Sequence, residues 1–371
     1  MDADRLHSSS LTPGRWLLAV FVASVLLSAP LALAADDPAF IGPVRVRDLS
    51  PISMLRLDFV PAHACSDDGS LSVLRVNYSE ANVFMVSDAA ENFLEARRQQ
   101  GGLSASDVHA LMQGKSDFFI FDAELAITDF EYIRALSKRT QVRIEWPVMS
   151  RGGGFLDHTI EEFHSATGLN SADRNMIDRN DVNIAARING STFALTGGGT
   201  HTTSGDPTIA VQHSFPVGPD ADLVLETAAK IALGGERGFF SSGASDLGVQ
   251  LSAERRFSRD AFYGGINFVR VGNGRVFRVF RLSNSPGVIA AWERRLGTRT
   301  WGIVQTTWSR ETLKPASHSP LDDDRIQVTA GVRRKLGSRL IGTVALTENI
   351  VHFKNTPDIG VHVSIAWFLN R

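Results

Sequence analysis

Apolar and polar residues alternate one by one along much of the chain. From Gln141, the stretch QVRIEWPV places Ile144 and Trp146 on one face and Arg143 and Glu145 on the other. Similar alternation recurs in LVLETAAKI from Leu223, LGVQLSAERR from Leu247 and IQVTAGVRRKL from Ile326. A period of two over about ten residues predicts β-strands with one apolar face and one polar face.

The connections between these segments alternate in length. Short turns follow Leu136, Ile188, Phe215, Phe257, Leu296 and Leu336, and longer polar stretches cover 149–181, 234–243, 272–284, 312–323 and 352–357. Asn189-Gly190 is a type I′ hairpin signal. Short turns at one end and long loops at the other are typical of a transmembrane β-barrel with periplasmic turns. A soluble β-sandwich also alternates, but it gives no reason for loop lengths to segregate by end.

The fold class predicted is therefore all-β: a transmembrane antiparallel β-barrel of about fourteen strands, with a short helix in a long external loop. The strands are expected near 71–80, 117–136, 139–148, 182–188, 191–199, 205–215, 221–233, 244–256, 260–271, 285–296, 299–311, 324–336, 339–351 and 358–368. A strand at 51–60 would give an odd count, so either that segment lies outside the wall or a weaker strand in 182–199 is false. Twelve strands is the main alternative.

The N-terminus has the pattern of a secretory signal peptide. Arg5 and Arg15 precede an apolar run that ends at Ala32-Leu33-Ala34, an A-x-A cleavage site. We predict removal of residues 1–34 and localisation in the outer membrane. Residues 35–70 then form an N-terminal segment, either a plug or a first strand, and 71–371 form the barrel.

Charge and cysteine content exclude some classes of function. The formal net charge of −2 gives no global basic field for nucleic acid. The single cysteine, Cys65, excludes an intramolecular disulfide framework and a cysteine-rich zinc site. We expect no cofactor.

The stretch GGGFLDHTIEEFHSATGL, from Gly152, predicts a short helix over 155–168 in a long external loop. Leu156, Ile160 and Phe163 form an apolar stripe that, with Phe155, is expected to dock inward and cap the lumen. Asp157, Glu161 and His164 share the adjoining face, where lumen arginines could bind them. The alternative for these three residues is a divalent metal site, although a dinuclear site needs more ligands than one helix supplies.

Two stretches resemble sequences of known outer-membrane proteins. DIGVHVSIAWF, near the C-terminus, resembles the closing strand that the outer-membrane assembly machinery reads. Residues 117–174 resemble an uncharacterised family of Gram-negative outer-membrane proteins, a domain of unknown function, through Gly153-Gly154-Phe155-Leu156-Asp157, Ile160-Glu161 and Phe163-His164. This resemblance implies a barrel in the outer membrane and no established activity.

The polar strand faces predict a charged lumen. The inward charges are expected to be Arg75, Asp122, Glu124, Arg143, Glu145, Glu226, Lys230, Glu254, Arg256, Arg333 and Lys335. Because both signs are mixed, the pattern favours a passive channel or transporter for small or apolar solutes over an ion-selective pore. The alternative is an outer-membrane enzyme or a structural barrel with a filled lumen, but no nucleophile-elbow motif supports catalysis. The expected partners are outer-membrane lipid, lipopolysaccharide, the assembly machinery and an unidentified solute, with no nucleic acid.

Overall fold

The computed structural model describes residues 40–65, 69–97, 105–152, 182–196, 199–237, 240–276, 280–310, 324–349 and 359–370. All of them belong to one compact unit, Ala34–Arg371. The predicted signal peptide and the loop helix over 155–168 lie outside the described residues. Within the described residues, no helix is both long enough and apolar enough to cross a membrane.

Strands make up most of the described chain. They are β1 (Ser72–Val86), β2 (Phe118–Ala135), β3 (Thr140–Gly152), β4 (Asn183–Ile188), β5 (Ser191–Thr196), β6 (His201–Ser204), β7 (Thr208–Gly218), β8 (Ala221–Lys230), β9 (Asp246–Arg256), β10 (Asp260–Arg270), β11 (Arg275–Val276), β12 (Phe280–Arg281), β13 (Ser285–Arg295), β14 (Thr300–Ser309), β15 (Arg325–Lys335), β16 (Leu340–Asn349) and β17 (Ile359–Phe368). Two helices, α1 (Asp88–Arg97) and α2 (Ala105–Gln113), lie between β1 and β2.

Twelve antiparallel strands close into a barrel. The ring runs β1-β2-β3-β7-β8-β9-β10-β13-β14-β15-β16-β17 and returns to β1. The prediction of an antiparallel β-barrel is confirmed, and the strand count is the alternative of twelve rather than fourteen. An even number fits single-chain barrels of the outer-membrane type.

The predicted strands at 182–188 and 191–199 exist but stand outside the ring. β4 pairs with β2 beyond the point where β3 ends its pairing, and β5 pairs with β4. Their hairpin turns at Asn189 and Gly190, both with positive φ, as the type I′ signal predicts. The sequence pattern places them in the wall because alternation reports a half-buried strand and not the sheet position that it occupies.

β1 and β2 continue past the ring and, with β4 and β5, form an outer sheet at the loop end. Its outer face packs on α1 and α2 through Phe84, Ile120, Leu94 and Val108. Its inner face packs on residues 49–55 through Val83, Met85 and Phe121. The outer sheet therefore lies between the two helices on one side and residues 49–55, in the mouth of the barrel, on the other.

The segment over 51–60, considered above as a strand, is not part of the sheet. It contains one turn of 3₁₀ helix, Ser53–Leu55.

Candidate functional site: an occupied lumen

The wall has one apolar and one polar face. Side chains such as Ile144, Trp146, Leu247 and Val249 are exposed on the outside, although they are large and apolar. The alternate positions on the same strands, including Arg143 and Gln250, are buried inside. Exposed apolar residues at every second position around a closed ring suit a lipid environment.

Residues 40–65 pass through the interior of the ring, and we call them the inner segment. Phe40 packs at the turn end, against Tyr263 and Ala261. The apex, residues 49–55, packs at the loop end against the outer sheet. The chain then returns, so that Cys65 contacts Ser214 and the backbone of Arg139 near the turn end again.

Wall side chains bind the backbone of the inner segment. Glu293 accepts the amide of Gly42 at 3.0 Å, and Gln305 accepts that of Val44 at 3.0 Å. On the returning limb, Asp246 accepts the amide of Leu57 at 2.9 Å. Gln250 also donates to the carbonyl of Val60, and Gln212 donates to the carbonyl of His63. Glu254 accepts the amide of Ala64. Buried backbone groups need such partners, and here inward polar side chains replace a β-ladder.

A buried ion-pair cluster joins the first limb to β1, β2, β3 and β8. Glu131 lies 2.7 Å from Arg45 and also contacts Arg75. Asp129 lies 3.2 Å from Arg47. The cluster extends across the wall, because Arg143 lies 2.8 Å from both Glu145 and Glu226. Four arginines thus meet four carboxylates in a largely buried site, where unpaired charges are costly.

A second set of contacts holds the start of the inner segment. Arg333 donates to the carbonyls of Gly42 and Pro43 and lies 3.2 Å from Glu293. Tyr263 donates to the same carboxylate at 2.8 Å. Glu293 therefore accepts from the segment backbone, an arginine and a phenol together.

A third set holds the apex. Lys230 donates to the carbonyl of Leu55 and lies 3.2 Å from Asp246 and 3.5 Å from Asp206. Nearby, Arg325 donates to Ser50 at 2.8 Å and lies 3.5 Å from Asp48. The apex is anchored to β8, β9 and β15.

The turn end is less filled. A cavity of about 990 Å³ is bordered by residues including Ile41, His63, Cys65, Arg139 and Tyr263. Burial raises the pKa of the Cys65 thiol, which keeps it protonated near neutral pH. Arg256 bridges Glu254 and Asp222, at 2.7 and 2.8 Å, along this rim.

The structure places the predicted lumen charges as follows. Arg143, Glu145 and Glu226 lie in the ion-pair cluster, Lys230 lies at the apex, and Glu254 and Arg256 lie at the turn end. Asp122 and Glu124, also expected inside, lie on the opposite face of β2, where Asn183 donates to Asp122. The loop-helix residues Phe155, Asp157, Ile160, Glu161, Phe163 and His164 lie outside the described residues.

Sequence reasoning misses the partners that hold the inner segment. It does not single out Asp129, Glu131 and Glu293, nor Arg45 and Arg47. Strict alternation from Phe130 and Tyr132 would have found Asp129 and Glu131, since those aromatics face outward. No local signal marks Arg45 or Arg47.

The lumen also holds a buried serine–histidine pair. His362 lies 2.8 Å from Ser79 through Nδ1 and 2.8 Å from Thr347 through Nε2. Because hydroxyls occupy both ring nitrogens, no carboxylate orients the imidazole as a catalytic triad requires. The arrangement is a polar crosslink between β1, β17 and β16. Among the described residues, no group of three potential metal ligands comes together.

Close packing between the returning limb and the wall predicts a strong effect at Gly248. A Cβ there would stand 2.5 Å from the ring of Phe59 and 2.8 Å from Leu57. We expect Gly248→Leu to lower the free energy of unfolding by about 1–3 kcal/mol, because overpacking shifts the segment. Urea titration followed by tryptophan fluorescence measures this.

Gly264→Leu is the matched control, since a Cβ at Gly264 meets nothing within 4 Å. It should leave the unfolding midpoint unchanged. Equal midpoints for the two variants would contradict this account of the packing.

Comparison with known proteins gives a family and a fold. A family model described as "Protein of unknown function (DUF3187)" matches residues 22–367. No curated protein matches the sequence. The crystal structure of the COG4313 outer membrane channel from Pseudomonas putida F1 has a TM-score of 0.52 at 8% identity, covering 84% of this chain and 100% of that chain. This likeness confirms the predicted fold class.

Two further solved structures are similar at lower scores. The NanC porin has a TM-score of 0.41 at 6% identity, covering 80% of this chain and 99% of its own. The Ralstonia pickettii toluene transporter TbuX has 0.42 at 9% identity, covering 87% and 99%. Both scores are below 0.5.

Proposed function

We propose, for a chain that belongs to the family described as "Protein of unknown function (DUF3187)", that it is an outer-membrane channel whose inner segment acts as its plug. The solutes are small or apolar molecules that cross passively. The outward apolar face and the likeness to the COG4313 outer membrane channel support the location. Outer-membrane lipid and lipopolysaccharide surround the wall, and the assembly machinery inserts it through β17.

One observation carries the channel proposal: side chains alone join the inner segment to a wall that is already complete. Among the described residues, no backbone–backbone hydrogen bond links 40–65 to a ring strand. The segment can therefore shift or leave without breaking a β-ladder. A first or last strand of the sheet could not do so, because each of its residues shares ladder bonds.

The width of the ring supports the same proposal. Barrel diameter grows with strand number, and side chains alone fill an eight-stranded barrel. A twelve-stranded barrel without the inner segment leaves a water-filled pore. A cavity of about 990 Å³ at the turn end is part of this space that the described inner segment leaves open.

A structural barrel with a permanently filled lumen is the second candidate. The three sets of contacts along the inner segment favour it, because they anchor both limbs and the apex. The two candidates differ in whether loosening those contacts lets solute through.

Removing the positive charges of the first limb tests the choice. We expect Arg45→Gln with Arg47→Gln to raise sugar flux into liposomes several-fold, because Asp129 then loses its partner and hydrates. Liposome swelling with sugars of graded size measures the flux. The control is Lys115→Gln with Arg270→Gln, which removes two exposed charges, one just after α2 and one at the end of β10.

Flux that stays at the wild-type level in the Arg45/Arg47 variant, with the barrel folded, would favour the filled barrel. A rise in the Lys115/Arg270 control would show that net charge, and not the plug contacts, sets the flux.

A further inference from the structure

The short-turn end of the barrel repeats one basic motif. Four of its turns have an outward arginine, then an apolar residue two positions later, then a second arginine just before the next strand. The four copies are Arg134-Ala-Leu-Ser-Lys-Arg139, Arg255-Arg-Phe-Ser-Arg259, Arg294-Arg-Leu-Gly-Thr-Arg299 and Arg334-Lys-Leu-Gly-Ser-Arg339. We call these eight arginines the basic collar.

A similar short turn closes all four copies, and the turn after Phe257 is one residue shorter than the other three. The amide of the apolar residue donates to the carbonyl that opens the next strand, at 2.8 Å from Leu136, 2.7 Å from Phe257, 2.9 Å from Leu296 and 2.8 Å from Leu336. Each copy therefore presents its arginines at one height around the barrel.

The collar borders an apolar surface. Leu136, Phe257 and Leu296 are exposed at 62%, 49% and 61%, which is unfavourable in water. Arg255 lies over the ring of Phe257 at 5.4 Å, and Arg294 over that of Trp292 at 6.0 Å. An apolar stem with a charged head at one height is the arrangement that suits the boundary between acyl chains and headgroups.

The charge at this boundary is one-sided. Among the described residues at the turn end, the outward acidic side chains are Asp220 and Asp260. Asp260 accepts from Trp292 and lies 3.4 Å from Arg294 of the collar. Eight arginines thus lie at this end of the barrel against two such carboxylates. Six of these arginines are exposed: Arg134, Arg139, Arg255, Arg259, Arg294 and Arg339. Guanidinium groups bind phosphate oxygens in bidentate geometry, and anionic lipid surfaces attract such clusters.

We propose that the basic collar binds anionic phospholipids of the leaflet that faces the periplasm, in the class of phosphatidylglycerol. The inference rests on the outer-membrane location proposed above, but it does not depend on any channel activity. It commits to phospholipid because the collar is at the turn end, whereas lipopolysaccharide belongs to the leaflet at the loop end.

Electron spin resonance of spin-labelled lipids in reconstituted vesicles tests the proposal. The selectivity of the full chain for phosphatidylglycerol over phosphatidylcholine is compared with that of a collar variant, Arg139→Gln, Arg255→Gln, Arg259→Gln and Arg339→Gln. We expect the variant to lose on the order of tenfold in selectivity, and the wild-type selectivity to fall in high salt.

The matched control removes four exposed arginines at the loop end: Arg270→Gln, Arg275→Gln, Arg281→Gln and Arg310→Gln. It changes the net charge equally and should keep the wild-type selectivity. A heat-dependent shift in gel mobility establishes that each barrel is folded.

Equal selectivity in wild type and collar variant, or an equal loss in the control, would overturn the proposal. Vesicles that take up none of the full chain would instead overturn the membrane location. Wild-type lipid selectivity in a protein that never passes solute would overturn the channel proposal and support the proposal of lipid binding by the collar.

Discussion

Glu131→Ala is expected to destabilise the barrel strongly. Glu131 is the carboxylate that Arg45 and Arg75 share, and Arg143 lies 4.0 Å from it. Without it, arginines stay buried with too few partners, which typically costs about 3–5 kcal/mol. Urea unfolding in detergent micelles, followed by tryptophan fluorescence, should show the lower midpoint.

Glu95→Ala is the control, because Glu95 is an exposed carboxylate on α1. It should change stability by less than about 0.5 kcal/mol. An unfolding midpoint in Glu131→Ala that equals the wild-type value would contradict the ion-pair account.

A double-mutant cycle measures the interaction energy between Arg45 of the plug and Glu131 of the wall. If Arg45 and Glu131 couple, the effects of Arg45→Ala and Glu131→Ala will fall short of additivity by about 0.5–3 kcal/mol. Additive effects would mean that Glu131 is stabilised by Arg75 and Arg143 and not by Arg45.

Much of the wall could be predicted from the sequence, because alternation and turn spacing are local. Ile326 to Lys335 alternates as expected, and β15 places Arg333 inside. The type I′ turn at Asn189-Gly190 is likewise predictable from two residues. These features depend on neighbours within one strand or one hairpin.

β2 shows where alternation fails. Its charged residues move from one face of the strand to the other between Glu124 and Asp129. The pairing with β1 is nevertheless continuous from Ile120 to Arg134, with no bulge that would cause the change. The strand rises above the ring, where α1 and α2 bury its outer face with Phe118 and Ile120. Apolar residues then occur on both faces, and period two no longer identifies the inside.

The contacts of the inner segment could not be predicted, because they join distant parts of the chain. The amide of Ile41 and its acceptor Glu293 are 252 residues apart. Residues 40–65 also lack periodicity, since side chains all around the wall, and no single sheet face, determine their path. The only sign of such a segment in the sequence is that it has no strand pattern.

Deletion of residues 41–60 is expected to have the largest effect on function. It removes the first limb, the apex and the first half of the returning limb, together with their contacts to Glu293, Glu131 and Lys230. The twelve ring strands keep their ladders, because none of those ladders includes the deleted residues. The inward charges still pair in part within the wall, as Arg143 does with Glu145 and Glu226. The result should be a folded barrel with a wet lumen.

Single-channel recording in planar bilayers tests the central claim most directly. The full chain should give rare or no openings, and the chain without residues 41–60 should give a stable open level, with mean conductance raised roughly tenfold or more by the emptied twelve-stranded lumen. Both proteins must show the heat-dependent gel shift of a folded barrel. Equal silence from two folded proteins, or an equal conductance in both, would contradict the account of residues 40–65 as the plug of a channel.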